Sequence, residues 1–153
     1  MESNKIYRNW KSIALGMWVV ICFISLLFFG LKNPTHQESS ERLGEMMRDM
    51  KVVLTSGGIV DSQYSNAKYG GAVLYVNIDA NSWSPELANS YRRSLSGLGW
   101  RDLASDVANV SLCKNGMLAK IGLNSDVDNS HGRSVIVYYV SMEYNGNTIK
   151  SCK

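Results

Sequence analysis

From Ile13 to Leu31 the chain reads IALGMWVVICFISLLFFGL, an unbroken run without a charged residue. At about 1.5 Å per helical residue the run covers roughly 28 Å, close to the hydrocarbon thickness of a bilayer. A core helix of this length keeps a polar face. This one keeps none, because its small or weakly polar members, Ala14, Gly16, Cys22, Ser25 and Gly30, do not line up on one side. The run predicts a membrane span over residues 12–32, and the rest of the chain is read around it.

Cleavage is the competing reading. A secretory signal has an apolar region of only about 7–15 residues, followed by a small-x-small site. Here the run is longer and is followed by FFGLKNPTHQ, with bulky residues where small ones would be needed. Cys22 lies in the middle of the run behind Val20 and Ile21, unlike the cysteine of a lipoprotein signal. The segment is therefore expected to be an uncleaved signal anchor. Lys5, Arg8 and Lys11 precede it against a single Glu2, which places residues 1–11 in the cytoplasm as a short tail. Tyr7, Trp10 and Trp18 suit the interface at that end.

The cysteines give a second, independent indication. Outside the run there are two, Cys113 and Cys152, a pair that an oxidising compartment would join as a disulfide. Together these features predict a single-pass protein of the bacterial inner membrane. The bilayer is contacted through Ile13 to Leu31, and residues 33–153 form a periplasmic, or at least extracytoplasmic, domain. The formal net charge is +3, and from Lys32 onward 13 Lys and Arg face 12 Asp and Glu. The exported part is almost neutral and lacks the basic footprint of a nucleic-acid binder, so nucleic acid is excluded as a partner.

Along the domain, Asn33-Pro34 stops the first helix, and Thr35 with Glu38 fits a capping box for a second. Leu43, Met46, Met47, Met50, Val53 and Leu54 recur at helical spacing before Gly57-Gly58 ends the element. This Met-rich stripe is expected to be core. Residues 59–68 are polar and read as a loop, while Gly70–Asp79 reads as a strand buried on both faces. Ser84, Pro85 and Glu86 open a clear helix whose face is Leu87, Tyr91, Leu95 and Leu98, with Trp100 sealing it against the sheet. Asn115-Gly116 predicts a hairpin whose second strand shares Met117, Ala119, Ile121 and Leu123 on one side. A polar loop, a long strand over SVIVYYVSMEY, a turn at Asn145-Gly146 and a short terminal strand complete the reading. The expected fold is α+β: two helices on one face of a mostly antiparallel sheet of about four to five strands.

Familiar chemistry is missing. The loop from Asp126 has His131 and Val137 where an EF-hand needs Gly and an acidic residue. Two histidines and two paired cysteines lack zinc spacing, and no P-loop, G-x-S-x-G or dinucleotide fingerprint occurs. Asp102 and Asp106 read as surface acids rather than an acid/base pair. No cofactor, metal or catalytic residue is expected, and the domain is expected to act by binding protein. An immunity or inhibitor protein is the first expectation, and an accessory subunit of an envelope or secretion complex is the alternative. Candidate partner contacts, chosen as exposed and chemically rich, are Trp83, Arg92, Arg93, Asp126, Asp128 and His131.

Overall fold

The structure, a computed structural model, describes residues 13–25, 33–103, 106–129 and 134–153. The expected cytoplasmic tail, Ser12, residues 26–32 and His131 lie outside the described residues. The chain separates into two compact units, residues 1–33 and 34–153. In the first, residues 13–25 are helical and their side chains are exposed, apart from the half-buried free thiol of Cys22. No helix among the described residues is long and apolar enough to cross a membrane.

The second unit is α+β. Helix α1 (His36–Leu54) begins as its sequence predicts: the Thr35 side chain accepts from the Glu38 N–H, and the Glu38 carboxylate accepts from the Thr35 N–H at 2.8 Å. Strands β1 (Val60–Lys68) and β2 (Gly71–Asp79) form a hairpin. A short 3₁₀ turn (Ala80–Ser82) then leads to helix α2 (Pro85–Gly97), capped by Ser84 with Pro85 at its first position. Next come β3 (Arg101–Asp102), β4 (Asn109–Lys114), β5 (Met117–Gly122), β6 (Asp126–Asp128), β7 (Val135–Asn145) and helix α3 (Gly146–Ser151). The seven strands make one sheet in the order β1-β2-β7-β5-β4-β3, with β6 paired to β7, and every pairing is antiparallel.

Three expectations are corrected here. The sheet has seven strands rather than four or five, because residues 60–68 form an edge strand and residues 126–128 pair with β7. The chain after Asn145 is helical rather than extended. The Asn145 side chain accepts from the Asn147 and Thr148 N–H groups, making it a helix cap instead of a hairpin turn, so a third helix joins the two expected. Finally, β2 is fully buried on one face only.

That face is the core. Leu74, Val76 and Ile78 of β2, Val140 and Met142 of β7, and Met117, Ala119 and Ile121 of β5 meet Met46, Met50 and Val53 of α1 and Tyr91 and Leu95 of α2. The methionine stripe is therefore core, with Met47 turned outward, and Leu123 falls past the end of β5 and is exposed. Trp100 is buried and its indole N–H donates to Asp49 at 2.8 Å, tying the end of α2 to α1. Asn115 and Gly116 both take positive φ, as the predicted hairpin requires. The Cys113–Cys152 disulfide is formed and fastens the C-terminus to β4.

Candidate functional site

Side chains alternate across a strand, so the residues between the core positions of β2, β7 and β5 build the sheet's other face. Neither long helix covers it. On the central strands it carries Val73, Tyr75 and Asn77 from β2, Tyr139, Ser141 and Glu143 from β7, and Leu118 and Lys120 from β5. The rings of Tyr75 and Tyr139 stack with centroids 5.3 Å apart and planes inclined by 17°. Tyr139 lies over Gly122, where any Cβ would come within 2.7 Å of the ring, and its hydroxyl donates to the Asn109 side-chain oxygen. A glycine on one strand thus creates the bed for an aromatic ring on the next.

Beside this pair sits a polar cluster drawn from three strands. The Asn77 amide donates to Asp128 at 2.7 Å and to Ser62 at 2.9 Å, and the Ser62 hydroxyl donates to Asp128 at 2.9 Å. Asn77 is only 9% exposed, and its carbonyl oxygen has no hydrogen-bond partner among the described residues. A cavity of about 200 Å³ opens there, lined by Tyr75, Asn77, Asp126, Asp128 and the side of β7 at Val137. Burial raises the Tyr75 hydroxyl above its ordinary range, and the nearby Tyr139, Asp126 and Asp128 push it the same way. Tyr139 is raised by burial together with Asp106, Asp126 and Glu143. Both phenols therefore stay protonated at neutral pH as hydrogen-bond donors in an acid-rich neighbourhood.

The structure divides the residues singled out from sequence. Asp126 and Asp128 belong to this face. Arg92 and Arg93 lie on the outer surface of α2, beside a 430 Å³ depression also lined by Glu86, Asn89 and Ser96. Arg92 is committed to a bidentate pair with Asp102, at 2.9 and 2.7 Å, and Arg93 donates to Ser90. Asp106 accepts from the Ala108 and Asn109 N–H groups as a turn former. Trp83 is half-buried rather than fully exposed, stacked on Tyr138 at 4.7 Å and edge-on to Tyr91 at 5.9 Å. Sequence reasoning passed over Tyr75, Asn77, Tyr139 and Ser62. The available signal was the alternation inside LYVNI and VYYVS, where the non-core positions, Tyr75, Asn77, Val137, Tyr139 and Ser141, carry no charge.

Comparison with known protein families, with characterised proteins and with solved structures returns no match to this chain. Chemically, the face offers the stacked Tyr75 and Tyr139 rings, the Tyr75 phenolic donor and two carboxylates. Such a set suits recognition by contact. Among the described residues no cluster of three or more His, Cys, Asp or Glu could hold a metal ion.

Proposed function

We propose that this is a single-pass membrane protein whose residues 33–153 lie outside the cytoplasm and bind a protein partner through the uncovered face of the sheet. The observation that carries the binding reading is the pre-ordered Tyr75–Tyr139 stack beside the Asn77–Asp128–Ser62 cluster. Rigid aromatic side chains supply contact area at little entropic cost, and tyrosine is enriched among residues that dominate interface energies. The disulfide supports an oxidising compartment for the domain. The uncharged run from Ile13 to Leu31, with the basic residues before it, supports anchoring with the amino terminus in the cytoplasm of a bacterial inner membrane.

Within protein binding, the preferred reading is an immunity or inhibitor protein held at the membrane, where tethering raises its effective concentration near membrane-directed targets. The alternative is an accessory subunit of an envelope or secretion complex, whose span also packs against partners. A photo-crosslinking residue placed at Lys120 on the uncovered face, and separately at Ser96 on α2, tests the surface in the full-length protein with the Tyr75–Tyr139 stack intact. A discrete adduct from position 120 and none from position 96 is the expected result. The reverse pattern would move the site to the α2 surface around Arg92 and Arg93. Exchanging residues 12–32 for an unrelated span separates the two functional classes: an inhibitor keeps working, and a complex subunit does not.

A further inference from the structure

The sheet ends differently on its two sides. On one, β3 is only two residues long; on the other, β1 runs nine residues, and among the described residues no strand pairs with its outer edge. An open edge of that length is a row of backbone donors and acceptors, which proteins ordinarily blunt with a short strand, a proline or interior charges. β1 has no proline, and its two charged residues, Asp61 and Lys68, stand near its ends. Between them Gln63-Tyr64-Ser65-Asn66 is uncharged and exposed, with Tyr64 57% accessible.

Which backbone groups point outward follows from the hairpin. Tyr69 and Gly70 form a two-residue turn, so the flanking Lys68 and Gly71 are a hydrogen-bonded pair, and Asn66, Tyr64 and Ser62 follow at alternate positions facing β2. An independent bond fixes the same phase. β1 carries an irregularity between Val60 and Ser62, and past it the Asp79 N–H donates to the Ile59 carbonyl at 2.9 Å, where the alternation lands once an extra residue is inserted. The N–H and C=O groups of Gln63, Ser65 and Ala67 therefore face away from β2.

A strand that fills this edge must satisfy those groups and suit the charges at the two ends. β1 does so itself when a second copy is laid antiparallel with Ser65 opposite Ser65. Gln63 then faces Ala67 of the second copy, every outward group pairs, and about six hydrogen bonds form between the chains. The same register sets Lys68 opposite Ser62 of the second copy, whose hydroxyl is bonded to Asp128 at 2.9 Å, with Asp61 next in sequence. Neither Lys68 nor Asp61 enters an ion pair among the described residues. A parallel arrangement would instead bring Lys68 to Lys68 and Asp61 to Asp61. On the uncovered face the two Tyr64 residues become diagonal neighbours, about 7–8 Å apart at Cα and within reach of one another.

We propose that the outer edge of β1 pairs with β1 of a second copy of this chain, antiparallel about a twofold axis through the Ser65 pair. The interface is isologous, so each contact off the axis is made twice, and it closes at two copies because it uses the long open edge of each sheet. It joins the sheets edge to edge and leaves the face carrying Tyr75 and Tyr139 open on both, so it stands apart from the partner-binding reading above.

The test is made on the full-length chain in detergent, with Cys22→Ser so that no free thiol remains. Ser65→Cys in that background should give a disulfide-linked dimer on mild oxidation, because directly opposed residues lie about 5.5 Å apart at Cα. Gln63→Cys should give none, its own counterpart being out of register by roughly 14 Å. By sedimentation, the chain with Cys22→Ser alone should be a reversible dimer. Lys68→Glu should raise its dissociation constant at least about tenfold, since two symmetric contacts turn repulsive. Ser65→Pro removes an outward N–H and none that faces β2, and should leave a folded monomer. If its urea transition shows it unfolded, Lys68→Glu and the two cysteine variants decide alone. Equal cross-linking from positions 63 and 65, a monomer at every concentration, or a dimer indifferent to Lys68→Glu overturns the proposal. So does a photo-crosslinker at position 65 that captures a different protein in place of a second copy, which would give the edge to a foreign strand.

Discussion

The two faces of the sheet are made by neighbouring residues of the same strands, yet they are specified in different ways. Leu74, Val76, Val140, Met142 and Ile121 face α1 and α2, and all are fully buried. One residue along each strand, Tyr75, Asn77, Tyr139, Ser141 and Lys120 face away from the helices. The first set is held by removal of apolar surface from water, which is non-directional and tolerates exchange of one aliphatic shape for another. The second set is held by particular pairings: a ring on a ring, a ring on a glycine, an amide on a carboxylate. A burial-driven face supplies stability, whereas a pairing-driven face supplies shape. The difference predicts that changes on one side unfold the domain, while changes on the other leave it folded and unable to bind.

The largest expected effect lies at the junction of the covered layer. Trp100→Ala removes a fully packed side chain and deprives the buried Asp49 of its indole donor. It should cost about 4–5 kcal/mol, the upper part of the range for a buried tryptophan. Urea denaturation of the variant should show little or no native baseline. A midpoint close to wild type would mean that α2 is not fastened to α1 through this residue. Next comes the cross-link. Replacing Cys113 and Cys152 together by Ser releases a loop with a sequence separation of 39 residues, worth about 3–4 kcal/mol in the chain-entropy model. Both variants strike stability, and a partner should bind whatever fraction remains folded.

What was legible in the sequence follows the same division. Short-range devices could be read directly: the Thr35–Glu38 box, the Ser84-Pro85 start, the Asn115-Gly116 turn and the cysteine pair all act over a few residues or through a unique chemistry. Strand β1 could not. VDSQYSNAK is exposed at nearly every position, because an edge strand buries little, and its order comes from pairing with β2. Helix α3 was missed because GNTIKS is too short to show a period and Asn-Gly is also the strongest hairpin signal. The uncovered face was hidden for a third reason. Ser62, Asn77 and Asp128 are far apart in sequence, and only the pairing of β1 with β2 and of β2 and β6 with β7 brings them together.

The middle of the range belongs to the uncovered face. Gly122→Ala sets a Cβ within 2.7 Å of the Tyr139 ring, so the ring must leave its bed and its stack with Tyr75. A shift of this kind costs about 1–3 kcal/mol, leaving a folded domain under native conditions. Partner binding should fall much further than stability. An adduct from the crosslinker at position 120 that persists undiminished in this variant would show that the ring arrangement is not what the partner reads. Tyr139→Phe refines the same point, because it keeps the stack and removes only the donor to Asn109.

The smallest contrast is electrostatic and visible only in pH. At the margin of the covered layer, Lys114 pairs with Asp49 at 2.7 Å and with Glu45 at 3.2 Å, and Arg42 pairs with Glu45 at 2.8 Å. Burial works to raise the Glu45 pKa, but the hydrogen bonds from Arg42 and Lys114 outweigh it and hold the carboxyl below its ordinary 4.5. A lowered carboxyl contributes stability that is complete above its unfolded value and disappears as pH falls through the folded one. Lys114 is the mirror case. Burial opposes its charge, its bonds to Asp49 and Glu45 prevail, and its pKa rises above 10.5, so its contribution is complete below that value and is lost as pH climbs through the raised one. Tyr91, pushed up to about 12 by burial while it donates to the Gly57 carbonyl, adds to the alkaline loss. The urea midpoint should therefore be level, as far as these groups decide it, between about pH 5 and 10 and fall on both sides. Glu45→Gln should flatten the acid limb, and Tyr91→Phe should flatten part of the alkaline one. Neither should alter a partner's affinity at neutral pH, because both side chains belong to the covered side. An acid limb unchanged in Glu45→Gln would assign that loss to other carboxylates and reduce the Lys114 network to a geometric tie between α1 and β4.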